Sequence, residues 1–141
     1  MEDALSALKT EFRNRGWNQR PVGPVVFELA IHVSLALSGI AIFVLCEPWW
    51  LRALGMLIST YGSVGVGTNT HTATHYAASR HRWVNEVLTH FGYPFFLMLG
   101  ATFWRHRHIT LHHANPNVMG IDQDADFTPF FASTELEVAR G

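Results

Sequence analysis

Apolar residues along this chain fall into blocks separated by polar stretches. Residues 1–20 are mostly polar, with Leu5, Leu8 and Phe12 at helical spacing, which predicts a short amphipathic helix lying at an interface or on the rest of the protein. Arg20-Pro21 and Gly23-Pro24 break the chain before the first long apolar run. From Pro24 to Cys46 only Glu28 and His32 can ionise, and a helix of that length reaches the ~30 Å of a hydrocarbon core. This run predicts a transmembrane helix over about residues 24–46. Glu47-Pro48 makes a tight turn, Trp49 and Trp50 suit a membrane interface, and the following block predicts a return span over about residues 49–67, with Arg52 able to snorkel outward. That second span carries Ser59, Gly62, Ser63, Gly65 and Gly67, small residues that let helices approach closely in lipid. A third block, Phe91 to Trp104, is short and contains Pro94, so it is expected to lie in the interface or within the protein. The expected fold class is therefore an all-α membrane protein, two spans plus interfacial or cytoplasmic helices.

Composition narrows the class. The 141 residues are 48% hydrophobic and 15% charged, and ten basic against eleven acidic side chains leave no excess positive charge to neutralise a nucleic acid backbone. A mean hydropathy of +0.10 in so short a chain points to a membrane rather than a water-exposed surface. Disorder is excluded by the low charge and the 13% aromatic content. The lone Cys46 can neither form an internal disulfide nor build a thiolate metal site. Glu2 and Asp3 lead the chain, so its start does not read as a cleavable signal peptide. Lys9, Arg13, Arg15 and Arg20 precede the first span, and Arg80, Arg82, Arg105 and Arg107 follow the second, which places both ends in the cytoplasm.

Histidine carries the candidate chemistry. Eight of the nine histidines fall between His71 and His113. If the second span continues as a helix beyond the membrane surface, His71 and His75 project from one face, one turn apart. His108 and His112 repeat that spacing, while in an α-helix His113 turns about 100° away, so adjacent histidines can address two ions. Both clusters follow membrane-associated segments on the same side, where they can converge on metal; the rival is a histidine-rich surface touching anionic headgroups. A zinc protease would need Glu at position 72, which is Thr. Haem binding would use histidines spread across facing spans. Copper stays open by affinity order, but five or more imidazoles exceed one tetrahedral zinc and favour a two-metal site, which iron would turn into an O₂-activating centre.

The segment His71-Thr72-Ala73-Thr74-His75 resembles the first histidine box of membrane fatty acid desaturases, which follows their second transmembrane helix. Residues 104–126, WRHRHITLHHANPNVMGIDQDAD, resemble the second box and its downstream G-x-D-x-D segment, in particular in bacterial acyl-lipid and front-end desaturases. The resemblance covers roughly residues 20 to 130, and it divides the chain into an amphipathic segment over 1–20 and the N-terminal part of a desaturase domain over 21–141. It implies a non-haem di-iron (Fe2+) centre that uses O₂ and two electrons, from ferredoxin or a cytochrome b5-type donor, to desaturate an acyl lipid or acyl-CoA. Carried over by position, His71, His75, His108, His112 and His113 are the implied iron ligands, and Asn85 and Trp104 look like scaffold positions. Cleaving an unactivated C–H bond calls for a metal-bound oxidant in a site poor in water.

Two departures shape the expectation. Thr72 stands where the first box usually has Asp, so it cannot accept a ligand N–H as a carboxylate would. No histidine follows His113, whereas family members carry a third box after two further spans. The chain is thus expected to be an incomplete and catalytically incompetent part of such an enzyme. Related histidine-box proteins that hydroxylate, and a non-catalytic metal-binding remnant, are the rival functions.

Among other polar residues, Glu28 and His32 are four apart and are expected to hydrogen-bond one another within the bundle. Asp122, Asp124 and Asp126 alternate as in a calcium loop, but Phe127 and Ser133 replace the glycine and glutamate such a loop needs. They read either as a solvated loop pairing with arginines or as groups that orient the second-box histidines, Asp122 and Asp124 foremost. His106 matches no ligand position, and His81 and His90 fall outside the paired pattern. Trp83, Phe91 and Trp104 are expected at the membrane interface, and Asn115-Pro116 is expected to end the second-box helix.

Overall fold

The computed structural model describes residues 2–17, 19, 22–118, 120–125, 131 and 135–139. Its regular structure is helical throughout, with no strand among the described residues. Helix α1 spans Glu2–Asn14, α2 Val22–Leu45, α3 Trp49–Thr74, α4 Arg82–Phe96 and α5 Ala101–Arg105, which runs directly into a π-helical segment, His106–His112. A short α6, Glu135–Val138, follows.

Among the described residues one helix, α2, is long and apolar enough to cross a membrane. Helix α3 is two residues longer but mixes polar residues into its last turns, where Thr68, Asn69, Thr70 and Thr72 precede His75. It continues the second apolar block through His71 and ends at Thr74, so His75 sits at its C-terminal boundary.

Helices α2 and α3 form an antiparallel hairpin closed by small residues. Gly39 packs on Gly55 and Ser59, and Gly62 packs on Ala36. A side chain at Gly55 would lie 2.7 Å from the Gly39 carbonyl oxygen, and one at Gly62 would lie 2.7 Å from the His32 carbonyl oxygen and closer still to Ala36. Backbone-to-backbone packing of this kind replaces the large apolar interdigitation of a water-soluble core. Farther along, Gly67 receives Leu97, and Gly92 of α4 receives Thr70, which brings α4 against the last turns of α3. The buried core there is small: Leu29, Val66, Ala73, Ala78 and Leu88.

Three sequence expectations change. The third apolar block, expected not to span, is divided between two helices, because α4 ends at Phe96 and Met98 adopts a left-handed φ of 53° before α5 begins, and the expected end of the second-box helix at Asn115-Pro116 shifts to His112. Glu28 and His32 do not pair: His32 Nδ1 accepts a hydrogen bond from Asn69 Nδ2 of α3 at 3.1 Å, and Glu28 remains exposed. The partner of His32 thus comes from the facing helix and not from four positions along its own helix. Both residues line a cleft of about 370 Å³ between α2 and α3, with Tyr61, Thr68 and Thr72.

Candidate metal centre

The end of α3 and the π-helical segment meet, and their histidines converge. His71 and His75 Nε2 atoms are 3.1 Å apart, His75 and His108 Nε2 atoms 3.3 Å, and His108 and His113 Nε2 atoms 3.1 Å. Donor atoms of His71, His75 and His108 lie within 4.8 Å of one another, as do those of His108, His112 and His113. His108 belongs to both groups and is the buried one. Imidazole nitrogens gathered this closely are in position to share a cation.

The π-helical backbone changes the expected placement of His113. The His113 amide donates to the His108 carbonyl five residues back, at 3.0 Å, so the wider turn stacks position 113 over position 108. The three histidines therefore face one cluster, where an α-helix would have turned His113 away. The helical run ends at His112, before the expected Asn115-Pro116 stop, and the Asn115 side chain caps the Leu111 carbonyl at 3.1 Å.

Two carboxylates fix the ring orientations of the second cluster. His108 Nδ1 donates to Asp124 Oδ2 at 2.8 Å, and His112 Nδ1 donates to Asp122 at 2.9 Å. An ionised carboxylate only accepts, so the proton sits on Nδ1 and each Nε2 lone pair is left for a metal. Burial opposes ionisation of Asp122, but the Asn117 amide, His112 and the Asp124 amide outweigh it and hold the carboxyl below its ordinary range. Burial likewise opposes Asp124, and hydrogen bonds from His108 and Arg107 overcome it. Arg107 Nε reaches Asp124 at 2.7 Å, so this aspartate pairs with an arginine and a histidine together. Asp126 lies outside the described residues. His71 and His75 have no carboxylate partner among the described residues, in keeping with Thr72. Burial and the neighbouring His108, His75 and His113 lower His71 to about 4. His75 is lowered by burial and by His113 and His108. Both are uncharged at neutral pH, the form that ligates metal.

An aromatic column backs the cluster. Tyr93 stacks on Trp104 with ring centres 4.8 Å apart, Trp104 on His108 at 4.6 Å, and His108 on His112 at 5.2 Å. Trp104 is thus an internal packing residue and not an interface anchor, because a flat indole against His108 fixes that ring's plane. Sequence spacing held a signal for this, since Trp104 and His108 are four apart. Trp83 and Phe91 are exposed. Asn85 touches none of the five histidine rings: its side chain accepts from the Ala78 and Ser79 amides and donates to the Ser79 and His81 carbonyls, tying the loop after α3 to α4. His81, His90 and His106 are exposed and outside the cluster.

A further knot escaped sequence reasoning. Tyr76, directly after His75, has a left-handed φ of 55°, which costs a non-glycine residue on the order of 1–3 kcal/mol. Its hydroxyl donates to Glu86 of α4, and Arg105 Nη1 donates to the other Glu86 oxygen at 2.9 Å. The Arg105 and Arg82 guanidinium groups lie 5.2 Å and 5.5 Å from the Tyr76 ring centre.

The fold and site together define an all-helical protein with a membrane-length helix and a histidine cluster fit for metal. Its family follows from comparison: the fatty acid desaturase profile matches residues 47–140, about two thirds of the chain, and the chain belongs to that family. It is 31% identical over 104 residues to the sn-1 linoleoyl-lipid 6-desaturase of Arthrospira platensis, covering 70% of this chain and 27% of that protein. It is 31% identical over 115 residues to the sn-1 linoleoyl-lipid 6-desaturase of Synechocystis sp., covering 79% and 31%. It is 28% identical over 121 residues to the acyl-lipid omega-13 desaturase of Chlamydomonas reinhardtii, covering 84% and 24%. The chain therefore spans roughly a quarter to a third of the length of these relatives. No solved structure matches it at a significant level.

Proposed function

We propose that this chain supplies the first two histidine boxes of an O₂-dependent acyl-lipid or acyl-CoA desaturase whose metal is a pair of non-haem irons. The observation that carries the reading is the convergence of five imidazoles from two separated segments, two of them oriented by buried or half-buried carboxylates. His71, His75, His108, His112 and His113 would hold the metal. When bound, the irons supply the O₂-derived oxidising power needed to remove two hydrogens from an acyl chain, with electrons from a ferredoxin or cytochrome b5-type donor. The chain's own residues prepare that chemistry. Asp122 and Asp124 keep protons on the Nδ1 atoms, and Trp104 and the surrounding imidazoles fix the His108 ring plane and cover it from water. The named activities of the relatives support an acyl substrate.

In this reading α2 and α3 both span the bilayer, and the N-terminus and histidine site face the cytoplasm, since the flanking arginines and lysines cluster at that end. Five imidazoles fall short of the donors two irons need, so this stretch alone binds metal without completing the catalytic centre. The test is direct. Iron-loaded chain, purified anaerobically in detergent, should retain iron, and the variant with His108→Ala and His112→Ala should lose it. Supplied with an electron donor and acyl substrate, the chain alone should give no new double bond by mass spectrometry. Failure of the unaltered chain to retain iron overturns the metal assignment, and turnover by the chain alone overturns the claim that the centre is unfinished.

A further inference from the structure

The two histidine-bearing segments are held by separate backbones, and something must keep them in register. Tyr76 follows His75 without a gap, and Arg105 precedes His106, the first residue of the π-helical segment. Glu86, from the second turn of α4, accepts a hydrogen bond from each through its two oxygens. Arg105 has no other hydrogen-bonded partner among the described residues: its Nε and Nη2 are buried and unpartnered. Glu86 is therefore the one carboxylate offsetting a guanidinium that is three-quarters withdrawn from solvent. Arg82 and His90 also approach Glu86, each at 3.7 Å, but both are largely exposed and belong to α4 itself, so neither bridges the two histidine segments as Arg105 does. The Tyr76 ring, flanked by Arg82 and Arg105, completes the link, and the left-handed Tyr76 backbone, closed by its own amide bond to the Ala73 carbonyl and the Ala77 amide bond to the Thr72 carbonyl, directs the side chain from the end of α3 to Glu86.

We propose that Glu86 is a positioning residue that clasps the end of α3 to the start of the π-helical segment and so sets the distance between the two histidine clusters. Glu86 touches no metal-candidate histidine, and its effect runs through Tyr76 and Arg105. Spacing alone cannot reveal it, since positions 76, 86 and 105 lie far apart in the chain and only Arg105 falls within a segment that the histidine motifs single out. The inference rests on the metal reading above only in its consequence; the clasp itself concerns the protein without metal.

The experiment uses the whole chain in detergent, unaltered and as Glu86→Gln, Tyr76→Phe and the charge exchange Glu86→Arg with Arg105→Glu. Co2+ serves as the spectroscopic metal, with affinity read by chelator competition and ligand geometry by visible absorption. Imidazole 15N–1H correlation spectra of the metal-free chain give a second readout. Glu86→Gln should weaken Co2+ binding about tenfold, the lower range for partners outside the ligand set. It should also change the absorption bands and disperse the His75 and His108 resonances, while helix content is kept. Tyr76→Phe, which deletes a single hydroxyl, should act in the same direction, and the charge exchange should restore part of the loss. Unchanged affinity and unchanged imidazole resonances in a folded Glu86→Gln or Tyr76→Phe chain would overturn the clasp. If the unaltered chain takes up no Co2+ but Glu86→Gln still disperses the imidazole resonances, the metal reading fails and the clasp stands.

Discussion

His71 is the histidine whose environment departs furthest from that of a free imidazole. Half-buried beside three other imidazoles, it is lowered from 6.5 to about 4. The unfolded chain binds the proton near 6.5, so between 6.5 and 4 the unfolded state holds more protons and stability falls as pH falls. The metal-free chain should lose thermal stability progressively across that window, and the His71 imidazole should titrate by NMR with a midpoint near 4. A midpoint near 6.5 would show that His71 is not packed as described. The histidine types and spacings were readable at this scale, and so was the pairing available to Asp122 and Asp124. Thr72 announced that the first pair lacks a carboxylate. Tyr76 and Glu86 gave no warning, because an isolated tyrosine and glutamate look like surface residues until a third chain segment brings Arg105 to them.

At the level of elements, the α2–α3 hairpin depends on Gly39, Gly55 and Gly62. A valine at Gly62 would drive its branches into the Ala36 backbone, where even a Cβ has no room, so Gly62→Val should force the helices apart. Overpacking of this kind costs about 1–3 kcal/mol or more, and the unfolding midpoint in detergent should drop accordingly. The same change at Gly23, where a side chain meets nothing within 4 Å, should leave the midpoint in place and serves as the control. The extent of α2 and the close approach at Ser59 and Gly62 followed from the sequence, since apolar run length and small-residue spacing are local properties, whereas α3 runs on to Thr74 and the roles of Gly39 and Gly55 appear only when the two helices meet. The π-helical turn did not. An i to i−5 hydrogen bond and an i to i−4 bond draw on the same residues, so local sequence does not distinguish them, and the π-helical segment lies where Trp104 stacks on both Tyr93 and His108.

For the whole molecule, the hairpin puts the α2–α3 turn and the histidine cluster at opposite ends. Between Trp49 and Thr74 lie about 39 Å of helix, more than the ~30 Å of a hydrocarbon core. The native Cys46 sits at that turn, and Ala77 is exposed just beyond His75. In the proposed topology a membrane-impermeant maleimide should reach Cys46 from the extracytoplasmic face of intact cells. A cysteine at Ala77, in a chain with Cys46→Ser, should react only after the membrane is opened. Labelling of both from one side would remove the second span. What the sequence determined by itself is whatever depends on neighbours a few positions apart: helical class, membrane-length apolar run, histidine pairs and family likeness. Tertiary structure alone decided what depends on separated segments meeting. It joined His32 to Asn69, made His108 common to both clusters, and tied Tyr76 to Arg105 through Glu86. Those contacts arise from three-dimensional packing, which residue spacing along one strand of chain does not encode.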